Sequence, residues 1–347
     1  MDKLRLGRTG LMVTRVGFGA IPIQRLPESD ALAVVRRCLD MGVNFIDTAN
    51  AYTNSEERVG KAIAGRQRED IILATKSLDR TTAGVEKHLQ LSLKRLGTEY
   101  IDIYQLHNVS DASAMKAIFA PEGPLAVVEK AKQAGLVRHI GVSSHAIDIA
   151  KELIKSDKFE SMMFPFNFIT YEPGEELLSL AREHDVGFIA MKPLAGGVLE
   201  NITLAFKYLF QFPDVVPIPG IEKAPEMTQI LGILAGDWQL TEADKAEMQR
   251  LHTELGTRFC RRCDYCQPCT EGIQISLILQ MPNVLKRLPP ATLFAGRMTE
   301  ELEKAAGCSQ CGECEERCPF HLPIPDMVAE YNTLFRAERR KWEETRG

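Results

Sequence analysis

The sequence predicts an α/β protein in which a (β/α)8 barrel precedes a mainly helical, cysteine-rich segment. Eight β-rich runs recur at intervals that leave room for a helix between them, and this alternation stops near residue 250. Eight of the nine cysteines then fall between Cys260 and Cys318. We therefore assign residues 1–250 to the barrel and residues 251–347 to a second domain.

Length and composition agree with a large folded protein. The chain has 347 residues, of which 45% are hydrophobic and 26% charged, so it can form a sizeable core. A barrel of about 250 residues plus a smaller module suits this length. The net charge of -5 argues against nucleic acid as a partner. The chain lacks an apolar leader and any run of about 18 apolar residues, so we expect a cytoplasmic protein without a membrane span.

The eight candidate strands are followed by segments with helical periodicity. The strand-like runs read VTRVGFGA, VNFIDTA, DIILATK, YIDIYQLH, VRHIGVS, FESMMFPFN, VGFIAMK and DVVPIPG. Apolar residues recur about every 3.6 positions in residues 29–42, 54–65, 81–96 and 174–184, which indicates helices. Gly42 follows the first of these as a helix C-cap would. Eight strands alternating with helices form a parallel sheet that closes naturally into a TIM barrel.

An open, doubly wound sheet is the alternative arrangement of the same elements. That fold would require a glycine-rich phosphate turn after the first strand. The segment GFGAIP is not followed by the glycine spacing that begins such a helix. The closed barrel is therefore favoured.

Four polar residues lie where the strands of such a barrel end. Asp47 ends the second run, Tyr52 follows in the same loop, Lys76 ends the third run and His107 ends the fourth. The carboxyl ends of barrel strands gather at one face, and a lysine that ends an apolar strand needs a partner when it is buried. A carboxylate, a phenol, an ammonium and an imidazole at one mouth suit acid–base chemistry on a carbonyl or alcohol.

Five segments carry a resemblance to a known family. LGRTGLMVTRVGFGA, FIDTANAYTNSEERVGKAI, ILATK, YIDIYQLH and IGVSS are similar, in order, to signature segments of the aldo-keto reductases over roughly residues 1–250. The resemblance implies an enzyme that transfers hydride from NAD(P)H to an aldehyde, ketone or quinone. It also implies that Tyr52 is the proton donor, Lys76 lowers the pKa of that phenol, Asp47 holds Lys76, and His107 orients the substrate.

The resemblance also implies a set of cofactor-binding positions. These are Gly19, Asp47, Ser143, Ser144, Asn167, Lys192, Pro193, Leu194, Gly220 and Lys223. Three departures concern the nicotinamide: Ser143–Ser144 replaces a Ser-Asn pair, Met163 a glutamine, and Met191 the usual stacking aromatic residue. The last loop lacks the usual phosphate-binding residues, although Lys223 can substitute. NADPH is thus implied by the family, and NADH and a flavin remain alternatives.

The cysteines form two runs with ligand-like spacing. The second run, Cys308-x2-Cys311-x2-Cys314-x3-Cys318-Pro319, has the bacterial ferredoxin spacing. The first run is Cys260-x2-Cys263-x2-Cys266-x2-Cys269, and eight thiolates are the number that two [4Fe-4S] clusters need.

The ligand sets follow from the analogy with two-cluster ferredoxins. One cluster is assigned to Cys260, Cys263, Cys266 and Cys318, and the other to Cys308, Cys311, Cys314 and Cys269. Two zinc sites, each with four cysteine ligands, are the alternative, but zinc normally takes two separated cysteine pairs.

The role of the clusters has three alternatives: a relay to a ferredoxin or another redox partner, a structural clamp, or a docking surface. A competing function is an iron–sulfur electron carrier that uses the barrel as a scaffold and binds a flavin. A metal-dependent hydrolase is disfavoured because the mouth lacks a histidine-rich or two-carboxylate ligand set.

Overall fold

The computed structural model describes residues 2–256, 258–262 and 264–345, and the chain folds into two compact units that divide between Thr241 and Glu242. The boundary predicted at residue 250 lies inside the helix Glu242–Gly256. Strands and helices alternate through the first unit, and the second is helical.

The first unit begins with a short antiparallel hairpin that precedes the barrel. It consists of β1 (Lys3–Arg5) and β2 (Met12–Thr14). Leu6 and Val13 from this hairpin are fully buried and pack with Phe45 and Ile72, which lie at the starts of barrel strands. The hairpin therefore closes the amino-terminal end of the barrel with apolar side chains.

Eight parallel strands form the barrel, each paired with its neighbours in chain order. They are β3 (Phe18–Gly19), β4 (Phe45–Asp47), β5 (Ile72–Ser77), β6 (Ile101–Leu106), β7 (Val137–Ser143), β8 (Ser161–Pro165), β9 (Gly187–Met191) and β10 (Val215–Ile218). The predicted first strand is divided in two: its beginning lies in β2 of the hairpin, and only its end forms β3.

The ring closes between the first and last barrel strands. Gly19 forms a parallel bridge with Gly220, and the Gly19 N–H donates to the carbonyl oxygen of Pro219 at 2.8 Å. A Cβ at Gly19 would lie 2.6 Å from that oxygen, so the contact requires glycine. This closure confirms the barrel and excludes the open, doubly wound sheet.

Helices follow the barrel strands in the pattern of a (β/α)8 barrel. They are α1 (Glu28–Asp40), α2 (Ser55–Ile63), α3 (Thr82–Leu96), α4 (Ala112–Ile118), α5 (Pro124–Gln133), α6 (Ile147–Lys155), α7 (Glu172–Glu183), α8 (Ile202–Phe210) and α9 (Ala224–Ala235). Short 3-10 turns occupy Pro22–Arg25 and Arg68–Asp70. All four predicted helices are present to within a few residues, and Gly42 has the expected left-handed φ of 92° after α1.

The second unit consists of short helices and one long closing helix. They are α10 (Glu242–Gly256), α11 (Ile275–Ile278), α12 (Met281–Arg287), α13 (Pro290–Phe294), α14 (Arg297–Glu303), α15 (Glu313–Glu316) and α16 (Ile324–Glu344), with a 3-10 turn at Lys304–Gly307. Pro282 and Pro290 stand in the first turns of α12 and α13, where the missing N–H is not needed.

The closing helix α16 is amphipathic. Its residues Ile324, Met327, Val328 and Phe335 are buried in the apolar core of the second unit. Among the described helices of either unit, none is both long and apolar enough to cross a membrane.

Candidate functional site

The candidate site begins with a buried ion pair at the carboxyl ends of two adjacent strands. Asp47 is the last residue of β4, and Lys76 lies near the end of β5. Lys76 Nζ donates to Asp47 Oδ1 at 2.5 Å and to the carbonyl oxygen of Thr48 at 2.6 Å. The two side chains are only 1% and 4% exposed. The pair therefore satisfies the expectation that a buried lysine at this position has a partner.

Burial and charge act against each other within this pair. Burial lowers the pKa of Lys76, but the charge of Asp47 and the interactions with Tyr52 outweigh it, so the pKa is raised overall. Burial raises the pKa of Asp47, and hydrogen bonds from Lys76 and Gln105 oppose that rise. The arrangement keeps an ammonium at the barrel mouth.

Tyr52 and His107 stand next to the ion pair. Lys76 Nζ is 5.1 Å from the centroid of the Tyr52 ring, and the Tyr52 and His107 rings meet edge to face with centroids 6.1 Å apart. Both residues are only partly buried, unlike Asp47 and Lys76. A phenol and an imidazole are thus available to a bound molecule, with the ammonium beneath them. The structure brings the four predicted side chains together.

Backbone hydrogen bonds set the loop that carries Tyr52. The N–H groups of Thr48 and Asn50 donate to the carbonyl oxygens of Ala74 and Lys76, so the β4–β5 ladder continues past the end of β4. The Tyr52 N–H then donates to the carbonyl oxygen of Ala49. The Tyr52 carbonyl oxygen accepts the N–H of Ser55, the first residue of α2. Tyr52 is therefore placed by a short turn between a strand and a helix.

Two residues at the site were not identified from the sequence. Gln105 on β6 donates through Nε2 to Asp47 Oδ2 at 3.0 Å. Its position two residues before His107, on the same face of the strand, was an available signal. Arg80 donates through Nη2 to the carbonyl oxygens of His107 and Asn108, at 2.6 and 3.0 Å, and so holds the loop that carries His107. No sequence pattern pointed to Arg80.

Apart from Asp47, which ends β4, the predicted cofactor positions lie at or after the carboxyl ends of β3, β7, β8, β9 and β10. Because the strands are parallel, this is the edge that carries the ion pair. Gly19, Ser143, Ser144, Asn167 and Pro193 are buried, Lys192 and Leu194 are partly buried, and Gly220 and Lys223 are exposed.

Several of these residues have structural partners of their own. Ser143 Oγ accepts the N–H of Asn108 at 2.8 Å. The Asn167 amide donates through Nδ2 to the carbonyl oxygen of Lys192, and its Oδ1 accepts two backbone N–H groups. Asn167 therefore joins the loops after β8 and β9, and Lys192 has a left-handed φ of 55°. These side chains hold the loops at the barrel mouth by hydrogen bonds to backbone groups.

The start of α9 contains a carboxylate near Lys223. Glu226 Oε2 accepts the N–H groups of Glu222 and Lys223 at 2.8 and 3.1 Å. A phosphate at this helix start would compete with Glu226 for those donors, so it would depend on the Lys223 ammonium.

The cysteines of the second unit line two separate pockets. Cys269, Cys308, Cys311 and Cys314 line one of them, and Cys260, Cys266 and Cys318 line the other. Each group combines cysteines from both runs, and the groups are those inferred from the ferredoxin resemblance. The remaining predicted ligand, Cys263, lies outside the described residues.

The chemistry of these pockets fits an iron–sulfur cluster. Thiols and apolar side chains, including Ile324, which borders both, line each pocket together with polar residues such as Arg317 in one and Arg261 in the other. Within the described parts of the chain, no three cysteine, histidine or acidic side chains converge on one point as the ligands of a single ion would. Four thiols around a pocket suit a cubane better than one zinc ion.

Comparison with sequence families identifies both units. Residues 15–203, more than half of the chain, match the aldo/keto reductase family, and residues 259–323 match the 4Fe-4S dicluster domain. The sequence is 33% identical over 213 residues to the uncharacterized oxidoreductase YqkF of Bacillus subtilis, covering 57% of this chain and 67% of that protein.

The chain also resembles solved structures of aldo-keto reductases. The holo form of an aldo-keto reductase from Bacillus halodurans is 28% identical with a TM-score of 0.63, covering 72% of this chain and 96% of that one. An aldo-keto reductase from Klebsiella pneumoniae in complex with NADPH is 23% identical with a TM-score of 0.61, covering 72% and 95%, and shows likeness of fold.

Proposed function

Since the chain belongs to the aldo/keto reductase family, we propose that it reduces an aldehyde, ketone or quinone with NADPH or NADH as the hydride donor. One observation carries the proposal: the buried Lys76–Asp47 pair lies beneath partly exposed Tyr52 and His107 at the barrel mouth. The Klebsiella pneumoniae protein, which shares the fold, was solved in complex with NADPH, and this supports a nicotinamide cofactor for the chain.

The proposed chemistry requires a proton donor from the chain. When bound, the reduced nicotinamide supplies a hydride to the carbonyl carbon. Tyr52 donates its phenolic proton to the carbonyl oxygen, so that the product is a neutral alcohol and Tyr52 is left as a phenolate. The Lys76 ammonium stabilises that phenolate, and Asp47 keeps the ammonium charged and in place. His107 donates a hydrogen bond to the same oxygen and thereby orients the substrate.

The residues at the other strand ends fit the role of a cofactor cradle. Gly19, Ser143, Ser144, Asn167, Lys192, Pro193, Leu194, Gly220 and Lys223 surround the mouth, with Asp47 beneath it. Lys223 offers a cation for a phosphate, although Glu226 occupies nearby N–H groups, and this suits either NADPH or NADH. A flavin at the same mouth is the alternative, because a hydride carries two electrons and each cluster accepts one.

The reductase proposal is tested by anaerobic turnover. Purified protein with its clusters is mixed with NADPH or NADH and a panel of aldehydes, ketones and quinones, and cofactor oxidation is followed by absorbance. We expect oxidation that depends on the carbonyl compound and produces one alcohol per cofactor. If no carbonyl in the panel is reduced while the clusters still accept electrons, the function is instead an electron carrier with the barrel as a scaffold.

The second unit is proposed to hold two [4Fe-4S] clusters. One would be bound by Cys260, Cys263, Cys266 and Cys318 and the other by Cys269, Cys308, Cys311 and Cys314, so each ligand set ties the two cysteine runs together. Such cross-links supply folding energy to a helical unit with a small core. Thiolate ligands also suit a reducing compartment, which supports a cytoplasmic location.

The two cluster sites differ in exposure. Cys260, Cys266 and Cys318 are at most 8% exposed, whereas Cys311 is exposed to solvent. An electron partner such as a ferredoxin would reach the cluster site through Cys311 most easily. We therefore propose this site as the contact for a redox partner.

This difference predicts unequal loss of iron. Anaerobically purified protein is expected to be brown with about eight irons per chain, and a chelator with mild oxidant should remove about four of them first. In Cys311→Ser the fast phase should accelerate, whereas in the matched variant Cys318→Ser the slow phase should accelerate instead. Iron release and the loss of cluster absorbance measure the two phases in each variant. A colourless protein with bound zinc would contradict the assignment.

A further inference from the structure

Gln105 lies where it can act on the acid–base cluster without contacting the reacting atoms. It is fully buried on β6 and stands in register with Lys76 on β5. Side chains of strand residues alternate between faces, so Gln105 shares its face with His107, which directly follows the strand. A neutral amide thus adjoins a buried lysine and a buried aspartate.

The contacts of Gln105 are directed at one atom. Its Nε2 donates to Asp47 Oδ2 at 3.0 Å, while Asp47 Oδ1 accepts from Lys76 Nζ at 2.5 Å. Each carboxylate oxygen therefore has a donor. The Gln105 carbonyl oxygen Oε1 is buried and has no hydrogen-bond partner in the described part of the chain. Burying an acceptor without a partner is costly. The contribution of Gln105 to the site therefore comes from its amide N–H, which donates to Asp47.

The charge balance explains what this donor accomplishes. In a dry site, a carboxylate and an ammonium can become a neutral pair if the proton moves from the lysine to the aspartate. A hydrogen bond to the ionised form of Asp47 opposes that transfer, and a neutral donor does so without competing with Lys76 as a second cation would. The titratable groups acting here are Asp47, Lys76 and Tyr52, with His107 against the Tyr52 ring.

We propose that Gln105 is a positioning residue that holds Asp47 ionised, so that Lys76 stays charged beside Tyr52 and the phenol stays a ready proton donor. This inference rests on the proposed function, because it assigns Gln105 a part in the same proton transfer. It differs from a packing role, since an apolar side chain of equal size would fill the space but leave Asp47 Oδ2 without its donor.

The test compares Gln105→Met with Gln211→Met. Gln211 also donates through Nε2 within the first unit, to the carbonyl oxygens of Lys207 and Trp238, so its variant loses hydrogen bonds far from the acid–base cluster. Protein labelled with 13C-tyrosine is titrated by NMR without substrate, and the Tyr52 signal is identified by its absence in Tyr52→Phe. In Gln105→Met the phenol should titrate about one pH unit higher and kcat should fall about tenfold with KM nearly unchanged.

A conservative variant separates positioning from packing and covers a failure of Gln105→Met to fold. In Gln105→Glu, the protonated acid can donate to Asp47, so kcat should be close to wild type at low pH. It should fall as pH rises and the new acid ionises, through a transition that wild type lacks. Identical pH profiles, or an unmoved Tyr52 titration in Gln105→Met, would overturn the proposal. The NMR titration needs no turnover. A wild type without reductase activity would therefore contradict the proposed function but not the role of Gln105.

Discussion

Replacing Tyr52 with phenylalanine is expected to lower kcat for carbonyl reduction by about 10²–10⁴-fold. The change removes the hydroxyl group that donates the proton and leaves the ring in place. The ring keeps its edge contact with His107 and its position 5.1 Å from Lys76 Nζ, so the fold should be preserved. Anaerobic nicotinamide oxidation with the best carbonyl of the panel measures the loss.

The control for this substitution is Tyr100→Phe. The Tyr100 ring stacks against the guanidinium groups of Arg68 and Arg138, and phenylalanine retains this stacking, so kcat should not change. Circular dichroism of both variants should match wild type. Near-normal turnover by Tyr52→Phe would remove Tyr52 from its role and assign the proton to another donor, with His107 the next side chain to examine.

Replacing Lys76 with methionine is expected to destabilise the first unit by about 3–5 kcal/mol and to abolish turnover. Methionine fills much of the same space but cannot pair with Asp47, whose side chain is 4% exposed. The variant therefore leaves a buried carboxylate without its cation and the Thr48 carbonyl without its donor. Trp238 and Trp342 lie in different units, so tryptophan fluorescence in a Trp342→Phe background reports on unfolding of the first unit.

A double variant shows whether the ion pair accounts for this loss. In Lys76→Met with Asp47→Leu, the unpaired carboxylate is also removed, and much of the lost stability should return. Turnover should not return, because the ammonium beside Tyr52 is still missing. If the double variant is as unstable as the sum of the two single variants, the two side chains act independently and the ion pair does not explain the stability of the site.

Much of the barrel could be predicted because its signals are local and repeated. Apolar strand runs and helical periodicity depend on neighbours a few residues apart, and they located β4 to β10 and the helices α1, α2, α3 and α7. The first strand was the exception. Its apolar run spans both β2 and β3. Apolar residues of the hairpin and of the barrel are both buried, so the apolar pattern does not distinguish the two elements.

The candidate site was accessible for a similar reason. Asp47, Lys76 and His107 end successive strands, and strand ends of a parallel barrel share one face, so their meeting follows from order along the chain. Gln105 and Arg80 were missed because their roles depend on contacts with Asp47 and with the carbonyl oxygen of His107, which are distant in sequence. A glutamine within a strand and an arginine within a loop have no distinctive local pattern.

The alternation of strands and helices, the barrel class, the four residues at strand ends and the two cysteine runs could all be predicted, because each of them is a pattern of chain order and spacing. The closure of the ring at Gly19 and Gly220 and the hydrogen bond from Gln105 to Asp47 became evident in the folded protein alone. Both are contacts between segments far apart in the chain, which packing and burial bring together and local spacing cannot encode.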